Sequence, residues 1–195
     1  SPLILISSFK LLKLQMKKLK FKKAIKLINP NELEKYKLNN NFINLIDIKH
    51  HQNKAFEKIS SKSNLFIKNS FDAAFKLLNL GISNKFINGP ISKTNFLDKK
   101  YLGITEYLTK KSNSKKNAML IYNKKLSVCP ITTHLPIKMV TKKITKKLVS
   151  EKILLINDFY KTHRGFKPKI AVLGLNPHCE SIDKFNEDER ILKPV

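Results

Sequence analysis

Ser127-Val-Cys-Pro-Ile-Thr-Thr-His-Leu-Pro136 begins as a short apolar run and finishes in two hydroxyls, a histidine and a proline. A run of this length that is rich in Val and Ile reads as a buried strand, which a proline then closes. His134 is thereby placed at the mouth of a strand, where open α/β sheets hold their ligands. Lys169-Ile-Ala-Val-Leu-Gly-Leu-Asn-Pro-His178 repeats the design: apolar strand, polar turn, proline, histidine. Either histidine by itself reads as an ordinary hydrogen-bonded side chain at a strand end. The two in matching contexts are equally compatible with a shared divalent metal, which in a catalytic site takes three protein ligands and an open position.

The elements on either side supply an α/β alternation. Ser1 to Ile6 reads as a strand, and Ser7 or Ser8 can cap a helix carrying Phe9, Leu11, Leu12, Met16 and Leu19. Ala24 to Ile28 reads as a second strand. Residues 31–62 are polar and rich in Asn and Lys, with one apolar segment at Phe42–Ile48. His50 and His51 fall in this stretch, in an exposed region, and adjacent residues face different ways. Ser63 to Leu80 has the helical spacing Phe71, Ala74, Phe75, Leu78, with Gly81 as the residue that ends it. Lys85 to Asn88 reads as a strand, followed by a turn that opens a helix. Ala118–Tyr122 and Leu126–Ile131 read as strands joined by a hairpin-length link. Thr145 to His163 is the longest helix, ended by Gly165, and Ile170–Leu173 is a strand. His163 is placed to interact with that helix's dipole rather than with a metal. Strands alternating with helices imply an α/β class with a mixed sheet.

Composition narrows the function. The 195 residues, 42% apolar, suffice for one well-buried domain or two small lobes. No apolar run reaches the length of a membrane span. The formal net charge of +25 suggests a polyanion partner, but Arg164 and Arg190 are the only arginines among 39 basic residues. Base and phosphate recognition favours arginine forks. Lysines spread along the chain together with Asn and Ile are what an AT-rich coding sequence produces, so no specific nucleic-acid partner is expected. Cys129 and Cys179 form no framework and fit a reducing, cytoplasmic setting. The chain opens inside a strand and stops at Lys193-Pro-Val195 without a closing element, which reads as a fragment.

Four polar clusters fall at predicted strand ends: Asn88-Gly-Pro-Ile-Ser-Lys93, Gly103-Ile-Thr-Glu106, Thr132-Thr-His134 and Asn176-Pro-His178. Gly89 and Gly103 allow close backbone approach, Ser92 and Thr105 supply hydroxyls suited to a phosphate, and Lys93 adds a point charge. A helix beginning near Ser92 would direct backbone N–H groups at the same anion. Neither a GxGxxG nor a Walker A loop is present.

In order and spacing these blocks, with Thr132-Thr-His-Leu-Pro136 and Gly174-Leu-Asn-Pro-His178, resemble the 4-hydroxythreonine-4-phosphate dehydrogenases of vitamin B6 biosynthesis. The resemblance implies a two-lobed α/β/α fold like that of the isocitrate and isopropylmalate dehydrogenases. It also implies a homodimer with its site at the interface. It makes His134 and His178 two of three histidine ligands to a divalent cation (zinc, cobalt or magnesium), with the third absent from this chain. Thr105, Ile104, Ser92 and Lys93 fall at substrate-contacting positions. The implied reaction uses NAD or NADP to oxidise and decarboxylate 4-phosphooxy-L-threonine to 3-amino-2-oxopropyl phosphate. Residues 1–195 would then be an incomplete single catalytic unit, inactive by itself, lacking a glycine-rich N-terminal block and a C-terminal segment. Two internal departures stand out. The family usually has Gly-His-Thr-Glu where this chain has Gly103-Ile-Thr-Glu106, and Pro-His-Ala-Gly-Glu where His178 is followed by Cys179-Glu-Ser181. Ile104 keeps another four-carbon 4-phosphate, such as a phosphorylated threonate or erythronate, open as substrate.

Overall fold

The computed structural model describes residues 2–98, 100–179, 182 and 185–195. Ser1, which begins the expected first strand, and Glu180 and Ser181 lie outside them. The chain divides into two compact units, Ser1–Tyr101 and Leu102–Val195.

The first unit is a small parallel sheet with helices. Strand β1 (Ile4–Ser7) leads into helix α1 (Phe9–Lys18), and β2 (Ile25–Leu27) and β3 (Ile43–Asp47) follow. The strand order is β1-β3-β2, with Ile4 opposite Asn44 and Ile25 opposite Ile43. The apolar segment inside the polar 31–62 stretch is thus the central strand, and its Asn44, Leu45 and Ile46 are buried. Asn44 serves the sheet through its amide: Nδ2 donates to the Leu3 carbonyl at 2.9 Å and to the Asn39 carbonyl at 2.8 Å. Helix α2 (Asn64–Asn79) lays Leu77 against Ile28 and Ile46, with Ile4, Ile6 and Tyr36 closing the cluster.

Helix starts obey local chemistry. Ser8 Oγ accepts from the Leu11 N–H at 3.3 Å, and Asp47 Oδ1, at the end of β3, accepts from the Phe9 N–H at 2.7 Å. Two of the N–H groups that a helix start leaves unpaired are therefore satisfied, one from outside the helix. Ser8→Ala is expected to lower stability by about 1 kcal/mol, measurable as a shift of the urea midpoint at unchanged slope. Gly81, with φ of 71°, follows α2 as expected.

The second unit contains helices α3 (Ile104–Lys111), α4 (Ile137–Lys143) and α5 (Lys146–Arg164). Thr145 caps α5 through Oγ1 to the Leu148 N–H at 3.2 Å, and Gly165 ends it with φ of 76°. Ile144 and Val149 are buried, and Tyr160 of α5 donates to Ser127 Oγ at 2.9 Å. His163 lies in the last turn of α5, as its dipole role requires. No described helix is long and apolar enough to cross a membrane.

Several expected strands are not formed. Of 118–122 and 126–131 only the antiparallel bridge Ile121–Val128 is paired, and 85–88 and 170–173 are irregular among the described residues. Val128, expected in a buried strand, is exposed, as are Val172 and Leu173. An apolar run encodes a preference for burial, whereas a strand also needs a neighbour to receive its N–H and C=O groups. The α/β class stands, and the described ladders are all parallel.

Candidate functional site

The four polar clusters sit mostly at helix starts rather than at strand ends. Ser92 caps a five-residue π-helical turn, Lys93–Leu97, accepting from the Asn95 backbone N–H at 3.3 Å and from Asn95 Nδ2 at 2.8 Å. Lys93 is exposed. Both belong to the first unit.

In the second unit, Gly103 is the N-cap of α3 and Pro136 that of α4, so the proline after His134 opens a helix. Ile104 and Thr105 are half-buried in the first turn of α3. Thr105 and Glu106 also border an open groove of about 330 Å³ with Thr109 and Lys110. His134 is not at a strand mouth. It occupies a bend with φ of 54°, the left-handed region in which non-glycine residues are uncommon.

Glu106 joins the second and third clusters. Its Oε1 accepts from the Thr133 hydroxyl at 3.1 Å and lies 3.7 Å from His134 Nδ1, and its Oε2 is buried with no hydrogen-bond partner among the described residues. Partial burial pushes the Glu106 carboxyl up. Its own backbone N–H, the Thr133 hydroxyl and the His134 ring together outweigh that, so it ionises below its ordinary value. Its place in the first turn of α3 also favours the anion. Gly103 is what lets these groups meet. A Cβ there would stand 2.9 Å from Glu106 Oε2 and 3.0 Å from His134 Cε1. Its φ of −162° is extended backbone open to any residue, so space and not conformation calls for glycine. Glu106 and Thr133 were not singled out as site residues by the sequence reading. Their 27-residue separation carries no local signal.

His178 sits in a separate turn and is exposed. Its N–H donates to Asn176 Oδ1 at 3.0 Å, and the Cys179 N–H donates to the Asn176 carbonyl at 3.2 Å. Asp188, buried, accepts from the Leu175 N–H at 3.2 Å and thereby ties this turn to the segment near the end of the chain. A Cβ on Gly174 would run into Cys179 Sγ and Asp188 Oδ1. Among the described residues no group of three or more His, Cys, Asp or Glu side chains is placed to hold a metal ion. His50, expected to be exposed, is half-buried and stacks on Phe66 with ring centroids 4.7 Å apart.

The cysteines differ. Burial pushes the Cys129 thiol up against a smaller opposing pull from Lys152, whereas Cys179 is exposed. The thiolate is the reacting form. An alkylating reagent at pH 7.5 is therefore expected to modify Cys179 well before Cys129, with Cys129 catching up as pH rises. Peptide mass spectrometry over time reads this out, and equal rates would contradict it.

All 195 residues match the family model described as pyridoxal phosphate biosynthetic protein PdxA. The chain belongs to this family. A PdxA-family relative from Sulfurihydrogenibium sp., named 4-hydroxythreonine-4-phosphate dehydrogenase, is 42% identical over 117 residues, which are 58% of this chain and 36% of that protein. One of the same name from Aquifex aeolicus is 39% identical over 89 residues, 46% of this chain and 28% of the relative. Among solved structures, a putative 4-hydroxythreonine-4-phosphate dehydrogenase from Salmonella typhimurium superposes with a TM-score of 0.83 at 27% identity. That match covers 100% of this chain and 61% of the Salmonella chain. The chain thus spans less than two thirds of the length of the PdxA-family proteins it matches.

Proposed function

We infer that this chain contributes the substrate-contacting surface and two metal ligands of a 4-hydroxythreonine-4-phosphate dehydrogenase. The enzyme oxidises and decarboxylates 4-phosphooxy-L-threonine with NAD or NADP and works as a cytoplasmic homodimer. The observation that carries this reading is the meeting of Glu106, Thr133 and His134 over Gly103, which unites two of the motif blocks in one cluster. An accessible imidazole beside an ionised carboxylate that can orient it has the donor chemistry for a divalent cation. His134 and His178 would be two of its protein ligands. A cation there supplies a Lewis acid that favours the alkoxide of the reacting hydroxyl and polarises the ketone that forms from it. Thr105, half-buried at the start of α3, offers its hydroxyl to the phosphorylated substrate.

NADH formation from 4-phosphooxy-L-threonine with added zinc, cobalt or magnesium tests the reading on the intact enzyme. His134→Ala is expected to lower the rate by more than about 100-fold, since losing a ligand exceeds the 10–100-fold effect of losing a ligand's partner. Unchanged turnover in that variant would remove His134 from the reaction.

Ile104 favours a second reading, in which the chemistry is kept and the substrate is another four-carbon 4-phosphate. It puts an aliphatic side chain, unable to hydrogen bond, in the first turn of α3. A higher kcat/KM for phosphorylated threonate or erythronate than for 4-phosphooxy-L-threonine would select it.

A further inference from the structure

We propose that Glu106 is the positioning residue of His134, holding its ring in the Nδ1–H tautomer so that Nε2 is the nitrogen presented to a ligand. The inference deepens the site proposed above and rests on that reading for its consequence, though not for its geometry.

Three observations carry it. The first is directional: the His134 nitrogen that lies within 4 Å of the carboxylate is Nδ1, 3.7 Å from Oε1. That distance is a charge contact, longer than a hydrogen bond. The ring is 43% exposed, however, and a modest rotation closes the gap. The second is a free acceptor. Oε1 is engaged by Thr133, while Oε2 is buried and has no partner among the described residues. A buried carboxylate oxygen left unpaired is costly, and an N–H brought to it recovers that cost. The third is convergence. The point where a Gly103 Cβ would stand is 2.9 Å from Oε2 and 3.3 Å from His134 Nδ1, so the absence of a side chain opens the space in which the two can meet.

The parts divide the work. Gly103 leaves the room, and Thr133 pins Oε1 so that the carboxylate cannot swing away. The left-handed backbone at His134, uncommon for a residue with a side chain, sets the direction from which the ring arrives. A neutral imidazole has one donor and one acceptor nitrogen, and which is which follows from the partner of the other. An anion facing Nδ1 selects Nδ1–H and leaves the Nε2 lone pair outward.

Nitrogen-15 NMR of the His134 ring at alkaline pH, where the imidazole is neutral, measures the tautomer directly. It needs neither a metal nor turnover. The wild-type ring is expected to be mainly Nδ1–H, and Glu106→Ala is expected to return it to the Nε2–H form that free imidazole side chains favour. Thr133→Val, which keeps the carboxylate but releases Oε1, is expected to lower the Nδ1–H fraction less than Glu106→Ala does, and a larger fall would overturn the proposal. A mainly Nε2–H ring in the wild-type protein would overturn the proposal without any variant, and so would an unchanged tautomer in folded Glu106→Ala. An Nδ1–H ring in an intact enzyme that forms no NADH would uphold the positioning role and remove the dehydrogenase reading.

Discussion

Gly103→Ala is expected to lower NADH formation by the intact enzyme about 100-fold while the protein stays folded. The added methyl carbon would lie 2.9 Å from Glu106 Oε2 and 3.0 Å from His134 Cε1, closer than such atoms pack. The extended backbone at Gly103 accepts alanine without strain, so nothing forces the chain itself to move. What gives way is the pair of side chains. Displacing a reacting group by about 1 Å is enough to cost on the order of 100-fold in rate. A circular dichroism spectrum and urea midpoint like those of wild type, together with the lost rate, would confirm the account. Full activity in the variant would show that the Glu106–His134 approach has no bearing on the reaction.

Asn44→Ala is expected to destabilise the first unit by about 2–3 kcal/mol. Asn44 is 1% exposed in the central strand, and its amide is the donor to two carbonyls, those of Leu3 and Asn39. A buried acceptor that loses its partner costs about 1–3 kcal/mol, and less where water can reach it, as at these part-buried bonds. Part of that is offset because the substitution also removes Asn44 Oδ1, which is buried with no partner among the described residues. The readout is a lower urea midpoint with unchanged slope. A shift no larger than that of Ser8→Ala would mean that water reaches both carbonyls.

Local signals in the chain encode its helices, while Asn44 and the Gly103 cluster depend on partners distant in sequence. Helix α1 after a Ser7 or Ser8 cap (Ser8 in the structure), α2 before Gly81, and α5 between Thr145 and Gly165 are legible because their signals are local. Each combines a 3.6-residue apolar spacing with a capping residue at the right end. Strand β3 was legible only as an apolar segment. Asn44 interrupts its apolar character, and its rank as the central strand depends on partners far away in sequence. The runs at 126–131 and 170–173 failed the other way: they have strand composition but, among the described residues, no ladder. Thr105, His134 and His178 were visible as motif members. The pairing of Glu106 with Thr133 and His134 required the fold, since nothing around residue 106 announces what residue 133 will do.

The strand order β1-β3-β2 also dictates a sequence of events in time. Neither β1 nor β2 pairs with the other, and both take their ladder from β3. As the chain emerges from the ribosome, Ile4–Ser7 and Ile25–Leu27 must wait without a partner until Ile43–Asp47 arrives between them. Helix α1 waits as well, because Asp47 holds its Phe9 N–H. Loops of this length must close before any ladder contact forms, which makes parallel pairing slow. The first half of the chain should therefore gain its sheet in one late step, timed by the synthesis of β3. During that interval two apolar strands stand open to chaperones or to one another's neighbours.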